Sequence, residues 1–268
     1  MTEDEIILTH VLQCSRSDLY LRKPQLSPEQ VDQIKCVRDR LAQGEPLQYI
    51  LGECEFFGLP FKVDARVLIP RPETELLVEE VVKYLRSPNH GKEQLCVLDI
   101  GTGSGNIPVS LVKHCPGIRA ISIDLSNEAL VLARENATQN TVLGEIEFIH
   151  ADVFKWLGPT NPYHQHFSAV VSNPPYVTTD EMAKLPRDVK REPAAALHGG
   201  RDGLRFYEHI ISNVRHVLKP GGWLFFEIGY SQGKSLENLL TRQGSFVNIG
   251  TSQDFNQRDR IVKAQLKV

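Results

Sequence analysis

Apolar residues recur along the chain at two spacings. From residue 1 to Gly44 they fall three and four apart, at Ile6, Ile7, Val11 and Leu12 and again at Val31, Ile34, Val37 and Leu41, the period of amphipathic helices. Ser27-Pro28-Glu29-Gln30 opens the second run with a hydroxyl cap and a proline at the first helical position, and Gly44 closes it. Tyr49 to Asp64 reads as two extended segments turning at Gly58-Leu59-Pro60, a hairpin. A proline-punctuated stretch, Val67 to Glu75, leads into an amphipathic helix through Leu76, Val78, Val81 and Leu85. From Leu95 onward the pattern changes, and short apolar runs alternate with helical ones. Strands are predicted at Cys96–Ile100, Ala120–Asp124, Ile146–His150, Ala169–Ser172, Trp223–Ile228, Phe246–Ile249 and Arg260–Leu266, with helices at 107–113, 128–140, 203–218 and 232–242. Such alternation predicts an α/β domain with a mostly parallel sheet covered on both faces. The chain thus divides into a small helical unit (1–46), a β-hairpin and linker (47–75) and the α/β domain (76–268).

Open α/β sheets bind ligands at the carboxyl ends of their strands, so the residues standing there are the candidate chemistry. After the first strand comes Asp99-Ile100-Gly101-Thr102-Gly103-Ser104-Gly105. Glycines at a strand–helix turn let a ligand approach the backbone, although such a loop by itself also closes purely structural turns. The spacing is G-x-G-x-G, not the dinucleotide G-x-G-x-x-G, and the loop contains no basic residue to hold a pyrophosphate. Asp124 ends the second strand, where a carboxylate would chelate ribose hydroxyls, and Asp152 follows the third, in reach of an adenine amino group. Each acid alone is an ordinary cap. Three at successive strand ends are not. An acid beside the loop suits a ligand carrying a cationic sulfonium and an amino group.

This combination resembles the S-adenosylmethionine-dependent class I methyltransferases. The resemblance implies a Rossmann-like, seven-stranded sheet and a cofactor site made of Gly101, Thr102, Gly103, Ser104, Gly105, Asp124, Asp152, Val153 and Asn173. Val153 stands where some relatives carry an aromatic, so weaker adenine stacking, or stacking from elsewhere, is expected.

The fourth strand runs into Asn173-Pro174-Pro175-Tyr176. Two prolines cannot continue a ladder, so the bland reading is a strand terminator. The tetrad also recurs in methyltransferases acting on a nitrogen conjugated to a π system: adenine or cytosine amines, or a glutamine amide. There the resemblance implies that the Asn173 side-chain oxygen and the Pro174 carbonyl accept hydrogen bonds from the substrate NH₂, while Tyr176 stacks on its planar group.

Further stretches, Gln48-Tyr49-Ile50-Leu51-Gly52, Phe57-Gly58, Ile69-Pro70-Arg71-Pro72-Glu73-Thr74-Glu75, Glu192-Pro193, Gly199-Gly200-Arg201-Asp202-Gly203-Leu204 and Asp259-Arg260, resemble the release-factor glutamine methyltransferases (HemK/PrmC) over nearly the whole chain. That family methylates the glutamine amide N5 of the Gly-Gly-Gln motif in peptide-chain release factors, helped by an N-terminal helical docking domain. It implies that Arg71, Glu73 and Thr74 wall the active site near the substrate, with Pro174, Pro175 and Tyr176. Family members usually carry a further helix before the segment matching Glu5-Ile6-Ile7-Leu8, so an N-terminal unit either shortened or wrongly started is expected here. His198 to Gly203 is either a mobile active-site loop or a helix lead-in, with Asp202 structural.

Composition narrows the partners. A net charge of −3 argues against a charge-driven nucleic-acid binder but leaves room for a local basic face, and fits a protein substrate. The rival readings are an adenine amino-methyltransferase on DNA or RNA, and a non-catalytic cofactor-binding regulator of translation. The five cysteines (Cys14, Cys36, Cys54, Cys96, Cys115) are odd in number and form no C-x-x-C, and the nine histidines have no metal spacing, so no metal is expected. No apolar run spans a bilayer and the acidic start lacks a signal peptide's basic region. A cytoplasmic monomer is the expectation.

Overall fold

In a computed structural model of the chain, residues 2–22, 24–90 and 94–268 are described. Met1, where the predicted helical unit begins, lies outside them. Four helices come first: α1 (Glu3–Leu12), α2 (Arg16–Arg22), α3 (Pro28–Ala42) and α4 (Leu47–Leu51). The predicted cap of α3 is realised as a capping box, in which the Ser27 hydroxyl accepts from the Gln30 N–H and the Gln30 side chain accepts from the Ser27 N–H. Ile7, Ile34 and Leu47 form a small apolar core of their own. That core explains one difference from the sequence reading. Tyr49 to Leu51 is helical, not extended, because α4 lays Leu47 and Leu51 against α1 and α3, and Gly52 closes it in the left-handed region. The hairpin is correspondingly shorter, β1 (Glu53–Phe56) paired with β2 (Leu59–Lys62).

The rest alternates: α5 (Pro72–Leu85), β3 (Cys96–Ile100), α6 (Asn106–His114), β4 (Arg119–Asp124), α7 (Asn127–Gln139), β5 (Ile146–His150), α8 (Val153–Trp156), β6 (Phe167–Ser172), α9 (Thr179–Met182), α10 (Ala194–Leu197), α11 (Arg205–Asn213), β7 (Leu218–Glu227), α12 (Gly233–Gln243), β8 (Phe246–Gln253) and β9 (Asp259–Leu266). The predicted 203–218 helix is split. It ends at Asn213, a 3₁₀ turn covers Val214–His216, and β7 begins at Leu218, ahead of the Pro220-Gly221-Gly222 irregularity.

The seven strands lie in the order β5-β4-β3-β6-β7-β9-β8, parallel except for β9, which runs antiparallel between β7 and β8. Their side chains alternate between two cores. Val97, Ala169, Val171 and Phe225 face α5, α6, α7 and the hairpin, whereas Leu98, Val170, Leu224 and Phe226 face α11 and α12. Between β3 and β6 the chain reverses its direction of travel across the sheet. At this switch point the adjacent strand ends carry the glycine loop and the Asn173 tetrad, where open sheets of this kind form a ligand crevice. Ser172 pins its floor by donating to the Ile100 carbonyl (2.7 Å). Among the described residues no helix is long and apolar enough to cross a membrane.

Candidate active site

The glycine loop forms one wall of the crevice. Gly101 and Gly103 adopt φ of +80° and +54°, and a Cβ on either would meet nothing within 4 Å, so the outer face of their backbone is open. Gly105 serves packing instead: its φ is +79° and an added Cβ would stand 3.1 Å from the Ala133 Cβ of α7. Thr102 and Ser104 are buried. The Gly101 and Thr102 N–H groups donate to the Ile123 carbonyl, and Gly103 N–H donates to Asp124 Oδ2 (2.9 Å), so the end of β4 clamps the loop.

Asp124 also accepts from the Ser126 N–H through Oδ1 (2.8 Å). Each bond uses one lone pair of an oxygen that has two, so capacity remains for ribose hydroxyls. Burial raises its carboxyl above the ordinary range, opposed by those backbone donors. Asp152 caps α8 by accepting from Phe154 N–H (3.0 Å) and keeps partial exposure; Val153 beside it is buried. Asp99 is the unusual acid. It is fully buried on β3 opposite Ser122, and among the described residues neither its carboxylate oxygens nor the Thr102 and Ser122 hydroxyls near it make a hydrogen bond of ordinary geometry. Burial lifts its carboxyl to about 7, with Asp124 adding to the rise and the two hydroxyls opposing it.

The tetrad forms the other wall. Asn173, Pro175 and Tyr176 are half-buried and Pro174 is buried. Asn173 Nδ2 donates to Thr74 Oγ1 (3.1 Å), and Thr74 Oγ1 donates to Glu227 Oε2 (2.6 Å). Thr74 is 2% exposed and Glu227 1%, so both lie behind the tetrad, while Glu73 keeps partial exposure. Arg71 is ion-paired with Glu192, whose other oxygen accepts from Ile69 N–H (3.0 Å), tying the segment before α5 to the one before α10.

The Gly199–Gly203 segment cradles the tetrad. Val177 N–H donates to the Leu197 carbonyl and Gly199 N–H to the Val177 carbonyl. A Cβ on Gly199 would fall 2.7 Å from the Pro175 oxygen and the Tyr176 Cα. Asp202 accepts from Leu204 N–H, a turn bond that leads into α11. Gln232 Nε2 donates to the Tyr176 and Gly203 carbonyls. The Tyr176 phenol is pushed up to about 12 by burial, with Glu227 adding to it.

Sequence reasoning did not single out Ser122, Glu227 or Gln232. The Glu227 signal was available, since it is an acid closing an apolar strand, as Asp124 is, and by register it stands beside Asn173.

The sheet order, with a glycine loop and acids gathered at its switch point, defines a class I methyltransferase. Solved structures share the fold: the hMettl16 catalytic domain in complex with MAT2A 3′UTR hairpin 1 (TM-score 0.60, 18% identity, 80% of this chain and 76% of that one) and a ribosomal protein L11 methylase from Lactobacillus delbrueckii subsp. bulgaricus (0.52, 19%, 77% and 84%). Residues 2–52 match the family model described as PrmC N-terminal domain, and residues 72–192 that of the methyltransferase small domain. Curated relatives named release factor glutamine methyltransferase, from Thermodesulfovibrio yellowstonii and Geobacter sulfurreducens, are each 39% identical over 98% of this chain, covering 91% and 89% of theirs. The chain belongs to the release factor glutamine methyltransferases.

That family and fold imply S-adenosylmethionine, and the residues present fit it: open backbone over Gly101 and Gly103, and in Asp99 a buried acid with unmet acceptors beneath them.

Proposed function

We infer that the chain methylates the side-chain amide nitrogen N5 of the glutamine in the Gly-Gly-Gln motif of peptide-chain release factors. The observation that carries this reading is the Asn173-Pro174 pair, with Asn173 fixed by Thr74, at the end of β6 beside the strand that leads into the glycine loop. When bound, S-adenosylmethionine supplies a methyl carbon made electrophilic by its sulfonium. The glycine loop, Asp124 and Asp152 would hold it, and Asp99, whose raised carboxyl ionises near neutral pH, would supply negative charge beneath as the cation draws off its proton.

An amide nitrogen is a poor nucleophile because its lone pair is delocalised into the carbonyl. Asn173 Oδ1 and the Pro174 carbonyl accept one hydrogen bond each from the glutamine NH₂, which favours a pyramidal nitrogen and aims its lone pair at the methyl carbon. Orientation and preorganised dipoles then lower the barrier. Proline suits the second acceptor because it offers no competing N–H. Tyr176 packs on the flat amide, and its raised phenol stays neutral throughout the working range. No general base is needed first, since the methylated nitrogen sheds its proton to water afterwards.

In this reading residues 1–46 help to dock the factor, 47–75 link, and 76–268 carry the chemistry, in a cytoplasmic monomer that needs no nucleic acid. The test is transfer of labelled methyl from S-adenosylmethionine to a purified release factor, beside its Gly-Gly-Ala variant and a nucleic-acid sample. Label on the intact factor alone, abolished by Asn173→Ala, is the expected result. Label on nucleic acid instead overturns the assignment.

A further inference from the structure

We propose that Thr74 and Glu227 are positioning residues for the transfer, holding the Asn173 amide in a relay that leaves its oxygen, and not its NH₂, facing the substrate. The inference rests on the reading of Asn173 given above and extends it to two buried side chains that touch no reactant.

Hydrogen-bond polarity sets the orientation of the Asn173 amide. A threonine hydroxyl has a single proton. An ionised Glu227 can only accept, so the Thr74 proton goes to Glu227 Oε2 (2.6 Å), and Thr74 Oγ1 must accept from its other neighbour. That neighbour is the Asn173 Nδ2 (3.1 Å). With the amide nitrogen consumed behind the tetrad, Oδ1 is the atom left for the crevice. Were Glu227 protonated, it would donate to Thr74, Thr74 would donate to the Asn173 oxygen, and the amide would turn its NH₂ toward the NH₂ of the glutamine. Donor would then face donor, and the pyramidalising hydrogen bond would be lost. The relay therefore converts the charge of one buried carboxylate into the orientation of a catalytic amide.

The groups around Glu227 come from several elements. Thr74 and Glu73 belong to α5 and Arg71 stands just before it; Arg260 comes from β9, Tyr176 from the tetrad and Tyr207 from α11. Tyr207 donates to the backbone carbonyl of Glu227 (2.8 Å) and leaves the carboxylate to Thr74. Burial raises the carboxyl to about 7 and Glu73 adds to the rise, whereas Thr74, Arg260 and Arg71 oppose it. The productive, ionised form is thus the one that acid removes.

The experiment compares wild type with Thr74→Val, Thr74→Ser, Glu227→Gln and Asn173→Ala, reading kcat and KM with a release factor at saturating S-adenosylmethionine from pH 5.5 to 8.5. Melting temperature and cofactor binding are measured on each variant. Misplacing a reacting group costs roughly 100-fold. Thr74→Val should lower kcat about 100-fold with the release-factor KM within about threefold, and Thr74→Ser, which restores the hydroxyl, should recover most of it. Wild-type kcat should fall on the acid side of pH 7, about tenfold per unit, as Glu227 takes up its proton. Glu227→Gln, whose amide oxygen still accepts from Thr74, should flatten that limb. Full kcat in Thr74→Val, or no difference between valine and serine at position 74, overturns the relay, and so does an acid limb that persists in Glu227→Gln. An inactive Asn173→Ala beside an active Thr74→Val would leave the site reading intact and sink only the relay. An active Asn173→Ala would sink both.

Discussion

A methyl group added at Gly203 would stand 2.3 Å from the Tyr176 carbonyl oxygen and 2.6 Å from Gln232 Nε2, on a backbone at φ +76°. Left-handed strain plus overpacking predicts that Gly203→Ala loses about 2–5 kcal/mol in denaturant titration. Its kcat should fall roughly 100-fold as the tetrad shifts. Gly103→Ala meets open space, so only the strain applies, about 1–2 kcal/mol. The new methyl occupies the ligand's side, and calorimetry should show weakened cofactor binding. Asp99 yields a prediction of a different kind. Its carboxyl sits at about 7 in the folded chain against 3.8 as the ordinary value, so between those limits the folded state holds a proton that the unfolded state has released. The contribution is favourable below the lower value and is lost as pH rises through the upper one, by about 1.4 kcal/mol per unit. Asp99→Asn should therefore flatten the fall in ligand-free stability between about pH 4 and 7. The same variant should weaken binding of cationic S-adenosylmethionine, because the charge beneath the loop is gone.

At the scale of elements, a fully buried side chain adds a hydrogen-bonded clamp to the apolar packing of the hairpin on the catalytic domain. Asn136 of α7 accepts from Lys62 N–H (2.8 Å) and donates to the Lys62 and Ser104 carbonyls (3.0 and 2.8 Å), joining β2 to the glycine loop. Asn136→Ala strands these groups and should cost about 3 kcal/mol, with weaker cofactor binding, read by denaturant titration and calorimetry. Nothing in the sequence around Asn136 announces this role, because an asparagine within a helical pattern carries no local signal of a partner in a distant hairpin. The strands were legible for the opposite reason: Cys96–Ile100 and Ala169–Ser172 are buried on both faces and so read as near-continuous apolar runs. The α4 helix was not, since five residues carry too little periodicity to outweigh β-favouring Tyr49 and Ile50. At the site, the loop glycines and Asn173 were visible as a motif. The different duty of Gly105 became visible only through Ala133, and that of Glu227 only through Thr74, because packing partners are set by topology.

Across the whole molecule, the site depends on segments far apart in the chain, and β7 is the strand through which they are coupled. On one side β7 pairs with β6, which delivers the tetrad; on the other it pairs with β9, whose Ile261 lies opposite Glu227. Ile261, Val262 and Ala264 are buried, and Arg260 donates to the Ile228 carbonyl. A chain cut after residue 258 would expose that edge and those contacts, and it should be insoluble and bind no cofactor in calorimetry. The antiparallel insertion also has a consequence for biosynthesis. While the polypeptide is still emerging from the ribosome, Glu227 appears roughly 30 residues before the strand that pairs beside it, an interval of about 2–6 s at ordinary elongation rates. Through that interval the nascent chain carries a parallel sheet with an uncovered apolar margin, the kind of surface to which holding chaperones bind. Pulse proteolysis of stalled chains should find the region around β7 cleavable until β9 is out, and protected from then on.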